Sequence, residues 1–370
     1  MKETILITGG AGFVGSHLAD KLLKEGYAVR VLDNLTEQVH SDGNWPEYLD
    51  ERVECIKGDV RDAAKVAEAL KDVSAVYHFA AAVGVGQSMY QIDHYTDVNN
   101  RGTAVLLEAL AKNPVKKLVV ASSMSLYGEG FYQDRSGNVY SPPERNLDAL
   151  KMGQWELTHD REELMPLATT ENKTPCPSSV YALSKYDQER LCLMIGSAYN
   201  IPTTALRFFN IYGPRQALSN PYTGVLAIFS SRFLNNKAPV IFEDGRQRRD
   251  FVSVHDIAQA CVLALESSNA NGQVSNIGSG ENYSISEIAT KVSQVLNRSD
   301  LKPEITGEYR VGDIRHCFAD ITKARSLLGY QPRISLEDGL QELAEWLQDQ
   351  RSDDRVDHMR NELSSRGLSL

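Results

Sequence analysis

Tyr181 and Lys185 stand four residues apart in Ser178-Ser179-Val180-Tyr181-Ala182-Leu183-Ser184-Lys185, and apolar Leu191, Met194, Ile195 and Ala198 follow at the spacing of one helical stripe. Residues four apart on a helix lie one above the other, so the phenol and the ammonium are predicted to project from one face. A phenol titrates near pH ~10, and bringing it to neutrality takes roughly 4 kcal/mol. An ammonium held nearby in a low-dielectric cleft, together with a second positive charge, supplies an effect of that size. The pair is therefore a candidate proton-transfer group. Tyr-x-x-x-Lys is also common on surface helices, and the start of the chain decides between the two.

Thr4-Ile5-Leu6-Ile7-Thr8 reads as a buried parallel strand, apolar on both faces, and it runs directly into Gly9-Gly10-Ala11-Gly12-Phe13-Val14-Gly15 and a helix from Ser16 to Glu25. Gly9, Gly12 and Gly15 let the chain turn tightly and let a dinucleotide pyrophosphate approach the helix N-terminus. A second strand ends at Asp33, about 18 residues past Gly15. A carboxylate there accepts both ribose hydroxyls and repels a 2′-phosphate, which favours NAD over NADP.

Further strands are predicted over 53–60, ending near Asp59, over 75–81, running into Ala80 and Ala81, over 117–123, ending at Ser123, and over 203–209. Helices between them are predicted over 99–110 and from Tyr181 onward. Strands alternating with helices mean an α/β, Rossmann-type doubly wound parallel sheet, whose ligands bind at the strand carboxyl ends. The predicted organisation is a dinucleotide-binding domain over 1–210 with an insertion at about 128–178, and a smaller mixed α/β substrate domain over 211–350. Residues 250–266 are expected to return to the first domain, and the charged tail 351–370 to fray. Amphipathic helices are also expected around Val225, Phe229 and Phe233, over 254–266, over 285–296 with Ser284 or Ser286 as N-cap, and over 336–346.

The chain has 370 residues, 42% hydrophobic and 24% charged, enough for a substantial core, and a net charge of −10 without a basic run makes nucleic acid an unsuitable partner. No apolar run reaches ~18 residues, so no membrane span is expected. Cys55, Cys176, Cys192, Cys261 and Cys317 are scattered without metal-type spacing, which predicts reduced thiols and no metal site. A strand signal beginning at Thr4 leaves no room for a leader, and the protein is expected to be cytoplasmic.

Seven ordered motifs, matched from residue 4 to about 347, now carry a resemblance. They are Thr8-Gly9-Gly10-Ala11-Gly12-Phe13-Val14-Gly15, Asp59-Val60-Arg61-Asp62, His78-Phe79-Ala80-Ala81, Ser122-Ser123-Met124-Ser125-Leu126-Tyr127-Gly128, Tyr181-Ala182-Leu183-Ser184-Lys185, Arg207-Phe208-Phe209-Asn210-Ile211-Tyr212-Gly213-Pro214-Arg215 and Arg249-Asp250-Phe251-Val252. The pattern resembles the extended short-chain dehydrogenase/reductase family, specifically its NAD-dependent nucleotide-sugar epimerases and dehydratases. That resemblance implies Tyr181 as the base on a sugar hydroxyl while the C4 hydride passes to NAD. It implies Lys185 on the nicotinamide ribose and Ser123 on the reacting oxygen. Cofactor contacts are implied for Gly9, Gly12, Phe13, Val14, Gly15, Asp33, Asn34, Asp59, Val60, Phe79, Ala80, Ala81 and Asn99, besides Tyr181 and Lys185. Asn210, Arg249 and Arg310 are implied on the nucleotide diphosphate, and Cys317 on the sugar pocket. The family's dehydratases place an Asp-Glu pair after the catalytic hydroxyl residue, where this chain has Met124-Ser125, so a 4-epimerase is the expected activity.

Asn34-Leu35-Thr36-Glu37-Gln38-Val39-His40, Val83-Gly84-Val85-Gly86-Gln87-Ser88-Met89-Tyr90, Leu218-Ser219-Asn220-Pro221-Tyr222-Thr223-Gly224-Val225 and Ile241-Phe242-Glu243-Asp244-Gly245 are similar to the subgroup acting on dTDP-L-rhamnose. The alternatives are a UDP-hexose or UDP-glucuronate 4-epimerase, with Arg315 as a cation for the uronate carboxylate, and a nucleotide-sugar 4-ketoreductase. Outside enzymes, the alternative is an NAD-binding regulator on the same fold. The family further implies a homodimer through helices 99–112 and 181–199.

Overall fold

The computed structural model describes residues 3–40, 42–142 and 144–369. Among these residues the main sheet has seven strands: β1 (Thr4–Thr8), β2 (Ala28–Asp33), β3 (Glu54–Lys57), β4 (Ala75–His78), β5 (Lys117–Ser123), β6 (Thr203–Phe208) and β7 (Val274–Ile277). They lie in the order β7-β6-β5-β4-β1-β2-β3 and every neighbouring pair is parallel. The strand order reverses between β1 and β4, which opens a crevice at their carboxyl ends.

Alternate side chains of β1 enter opposite cores. Ile5 and Ile7 pack with Leu18 of α1 (Phe13–Lys24), while Leu6 packs with Leu106 and Leu107 of α2 (Gly102–Lys112) and Cys192 of α3 (Val180–Ala198). The helix α4 (Val254–Glu266) joins α1 on the first face through Ile257, Ala260 and Cys261. A strand apolar on both faces thus becomes the middle layer of a three-layer sandwich.

The smaller unit is built on the helices Val225–Leu234, Ile285–Val295 and Leu336–Leu347, whose Phe229, Phe233, Ile288, Val292, Leu340 and Leu343 share one core. Ser284 is the N-cap of the second of these, in a full capping box with Glu287.

Four features differ from expectation. β7 reads Val-Ser-Asn-Ile, and its buried Ser275 and Asn276 hide the apolar signal of a strand. The predicted helix at Asn99 begins as a π turn, Thr96–Arg101, and becomes α-helical only at Gly102. β3 is short and largely exposed, as an edge strand should be. The charged tail does not fray: Val356–Ser365 is a helix that buries Val356, Met359 and Leu363 against Val240.

The stretch 128–178, which lacks strong periodicity, is held by short strands and buried charge. Phe131–Gln133 pairs antiparallel with both Val139–Tyr140 and Met165–Leu167. Arg315, fully buried, meets Glu243 at 2.9 Å and Asp244 at 2.7 Å, and also pairs with Glu156 of the insertion. Arg145 reaches Glu243 at 2.7 Å and Glu129 at 3.2 Å, and His316 meets Glu156 at 2.9 Å. Strands of two or three residues carry too little pattern to be read, and the network replaces an apolar core. It also removes Arg315 as a cation for a uronate carboxylate.

Although burial pushes the other way, the hydrogen bonds from His316 and Arg315 hold Glu156 at about 2, below its ordinary 4.5. That contribution is present above the unfolded value and is lost as pH falls from about 4.5 towards 2. Replacing Arg315 by Leu takes a partner from Glu156, Glu243 and Asp244 at once, with His316 and Arg145 left to hold the first two, and is expected to cost about 3–5 kcal/mol in urea unfolding. It should also flatten the loss of stability on acidification. A cost below about 1 kcal/mol would mean that water satisfies these carboxylates and the network does not hold the insertion.

Candidate active site

The crevice between β1 and β4 is a groove of about 410 Å³, within the range of small-molecule sites. Its floor is the glycine loop. Gly9 has φ +71°, and a Cβ there would stand 2.8 Å from the Ala80 nitrogen; a Cβ on Gly15 would stand 2.6 Å from the Gly9 oxygen. Only glycines allow this close turn. Helix α1 starts from Gly12 with no side-chain cap, so its first N–H groups remain available to an anion. At the end of β2, buried Asp33 accepts from the Ala11 nitrogen at 3.0 Å and the Leu35 nitrogen at 2.9 Å, one bond to each carboxylate oxygen. Lone pairs on both oxygens are left for a ligand. Asp59 also lines the groove, but Arg61 bonds both of its oxygens, at 2.8 and 2.7 Å, and holds it at about 2. Buried Gln216 Oε1, on the groove wall, has no partner among the described residues. A glycine-turned anion site, a diol-accepting carboxylate and an orphaned acceptor in one groove fit a dinucleotide.

Ser179 caps α3, its Oγ accepting from the Ala182 nitrogen at 3.1 Å, which sets Tyr181 in the first turn and Lys185 one turn later. Both line the groove, as does Ser123 at the end of β5, whose Oγ is 2.8 Å from the Ser125 hydroxyl. Burial pushes the Tyr181 phenol above its ordinary value, and the Ser123 hydroxyl pulls it partly back. Burial lowers Lys185 to about 8. Desolvation alone therefore opposes the phenolate.

A second cavity adjoins the groove, and the two share Asn210, Thr223 and Gly224. Met124 and Ser125, next in the chain after Ser123, lie on its wall with Val85, Met89, Arg249 and Arg310. Asn210 Oδ1 is buried without a partner among the described residues. Arg249 donates through Nη1 to the Arg248 and Arg315 carbonyls, each at 2.9 Å, and through Nη2 to the Ile314 carbonyl. Arg310 grips Asp313 with two bonds, at 2.8 and 3.2 Å, and its guanidinium lies 4.3 Å from the centre of the Phe242 ring. The carboxylates on the described walls are Asp33 and Asp59 at the far end of the groove and Asp313, which Arg310 covers.

Gly9, Gly12, Phe13, Val14, Gly15, Asp33, Asn34, Asp59, Val60, Phe79, Ala80 and Ala81 all line the groove. Two predicted residues do not line either cavity. Asn99 is fully buried behind the groove; its Oδ1 accepts from the Ala82 nitrogen at 2.7 Å and its Nδ2 donates to Ser184 Oγ at 2.8 Å. It fixes the wall rather than forming it. Cys317 is fully buried, with Sγ 3.8 Å from Thr169 Oγ1. It is packed beneath the insertion, where it lines neither cavity and so does not take the pocket place the resemblance implied.

Reasoning from sequence passed over the buried polar face of α3. Glu189 accepts two bonds from Arg207 of β6, at 2.9 and 2.6 Å, and one from Ser122 at 2.6 Å. Gln188 Oε1 accepts from Lys185 Nζ at 2.7 Å. The signal was present, since Gln188 and Glu189 lie three and four residues past Lys185 and so share its face. Conversely, Met194 and Ala198 of the expected apolar stripe are exposed.

The profile of the NAD dependent epimerase/dehydratase family matches residues 5–278. A dTDP-L-rhamnose 4-epimerase of Burkholderia thailandensis is 34% identical over 349 residues, covering 93% of this chain and 95% of the relative. The UDP-glucose 4-epimerase of Thermotoga maritima, solved with UDP-glucose, superposes with a TM-score of 0.77 at 31% identity, over 93% of this chain and 98% of its own. The UDP-glucuronic acid 4-epimerase of Bacillus cereus, solved with UDP-glucuronic acid and NAD, gives 0.76 at 30% identity, over 93% and 99%. The chain belongs to the NAD dependent epimerase/dehydratase family, within the extended short-chain dehydrogenase/reductases. It is an enzyme of that family, and its cofactor is NAD.

Proposed function

We propose that the chain is a nucleotide-sugar 4-epimerase whose substrate is dTDP-L-rhamnose or a closely related nucleotide-linked hexose. The observation that carries this is that Ser123, Tyr181 and Lys185 line one groove, with Met124 and Ser125 on the wall of the adjoining cavity where a dehydratase needs a carboxylate pair. Expelling water across C5–C6 requires an acid and a base there. Moving a hydride off C4 and back requires one proton-transfer group and room for the ring to turn.

NAD, when bound, supplies the hydride acceptor and donor. Tyr181 takes the C4 hydroxyl proton and later returns it, Ser123 holds the reacting oxygen, and Lys185 keeps positive charge next to the phenol. Asn210 and Arg249 receive the nucleotide diphosphate, and Arg310 contributes once it shares itself between Asp313 and a phosphate. Val85, Met89 and Met124 make an apolar wall suited to a methyl group at C5, and Arg315, the spare cation for a carboxylate there, is committed to Glu156, Glu243 and Asp244. The similarity to the Burkholderia thailandensis enzyme supports the same choice.

Incubation with dTDP-L-rhamnose, UDP-galactose and UDP-glucuronate separately, with products read by NMR, should give inversion at C4 with the first. Turnover of the UDP sugars alone would reassign the substrate. Tyr181→Phe should lower kcat by at least about 10³-fold while the purified protein keeps its NAD, because proton transfer is lost and the groove is not. Near-normal kcat in that variant would remove Tyr181 from the proton transfer.

We also propose that the chain forms a homodimer through α2 and α3. Leu183 and Met194 of α3 are 49% and 57% exposed, on the face turned away from the sheet. Light scattering at micromolar protein should give twice the chain mass of 41.1 kDa, and Met194→Glu should shift the population to single chains. A wild-type protein of one chain mass would contradict the pairing.

A further inference from the structure

Among the described residues Lys185 has one hydrogen-bond acceptor, Gln188 Oε1 at 2.7 Å. The direction of the surrounding bonds can be deduced. Thr8 Oγ1 accepts from the Ala80 and Phe79 nitrogens, each at 3.2 Å, so its own proton goes to His78 Nδ1 at 2.9 Å. The His78 proton is therefore on Nε2, which donates to Thr103 Oγ1 at 2.8 Å. Thr103 in turn donates to the Asn99 carbonyl at 2.6 Å, leaving its second lone pair for Gln188 Nε2 at 2.9 Å. The other Nε2 hydrogen points to the Ala80 carbonyl at 3.4 Å, and the 3.3 Å approach to His78 Nε2 is a contact between two donors. Every lone pair and proton in this chain is assigned, and only one orientation of the Gln188 amide satisfies it. Its NH₂ faces Thr103 and its oxygen faces Lys185.

Among the described residues Glu189 is the carboxylate that raises Lys185, by less than burial lowers it. Glu189, on the next position of α3, is held by Arg207 and Ser122. Burial drives His78 to about 3, with the Lys185 charge adding to it, and pushes the Cys192 thiol to about 12, so both stay neutral. Tyr181, one helical turn before Lys185 on α3, lines the same groove.

We propose that Gln188 is a positioning residue for Lys185: its amide oxygen, oriented by His78 and Thr103, holds one ammonium N–H, turns the other two to the dinucleotide groove and leaves the positive charge whole. A carboxylate at this position would hold the lysine equally well and cancel the charge that Tyr181 needs. This inference rests on the reading of Tyr181 as the proton-transfer group, and its test needs no sugar.

The test is an ultraviolet titration of tyrosinate in the NAD-loaded protein, taken as the difference between each protein and its Tyr181→Phe counterpart. In Gln188→Glu the Tyr181 midpoint should rise by about one pH unit, because the neighbouring cation is compensated. In Gln188→Met it should rise as well, because a buried ammonium without its acceptor gives up its proton at lower pH. The second variant decides the matter if the first does not fold. Midpoints within about 0.2 of wild type, or lower, would make Gln188 a core filler and overturn the proposal. A raised midpoint in a protein that turns over none of the sugars would uphold Gln188 and remove the epimerase reading; normal epimerisation with unmoved midpoints would do the reverse.

Discussion

The buried pair between Glu189 and Arg207 is the constraint on which the site depends. Helix α3 brings Tyr181 and Lys185 to the groove, but an α-helix lying on a sheet can slide or rotate by fractions of a turn at small cost in apolar contact. The two parallel bonds from Arg207 to Glu189 forbid that, since a guanidinium and a carboxylate match in one geometry only. Ser122 adds a third bond to the same carboxylate, so the strand ending in Ser123 and the helix carrying Tyr181 are referred to one point. Arg207 also donates to the Tyr127 hydroxyl at 2.8 Å, and Tyr127 donates to Asn276 of β7 at 2.7 Å. The last three strands of the sheet and α3 are thus tied through one ion pair. Breaking a buried pair by removing one partner costs about 3–5 kcal/mol, a large share of the stability of any domain.

Charge is distributed to the same end. Acidic groups are plentiful in the molecule, yet Asp33 and Asp59 stay at the far end of the groove, Arg310 covers Asp313, and Arg145 and Arg315 hold Glu129, Glu156, Glu243 and Asp244 beneath the insertion. Tyr181 and Lys185 line the groove wall away from these carboxylates' partners. A neutral amide supports the ammonium, so its field is not spent on a counter-ion. Burial raises the Tyr181 phenol, so the proton transfer proposed for it needs a nearby cation to lower it again.

The parts legible in the sequence are those with strong local signals. The β1–glycine loop–α1 unit shows its strand, its turn and its acidic residue at the end of β2, and helices such as Val254–Glu266 show both period and boundary. What was hidden depends on contacts distant in the chain. β7 carries Ser275 and Asn276 because Asn276 must meet Tyr127 and Thr169. Arg315 looks like a free cation until the fold brings Glu243 and Glu156 around it, and Cys317 looks like a pocket residue until Thr169 covers it. Gln188 and Glu189 sat in view on the Lys185 face, but polar residues on a helix read as solvent-facing by default. Only the structure turns that face inward.

The central claim is that one hydride leaves C4 of the sugar and comes back to the same carbon while Tyr181 handles the proton. A nucleotide sugar carrying deuterium at C4, converted in ordinary water and examined by NMR and mass spectrometry, tests it directly. The epimerised product should keep the deuterium at C4, because the hydride never exchanges with solvent. Loss of the label to water, with inversion still complete, would mean that C4 is inverted by proton removal and return, and the account would fail.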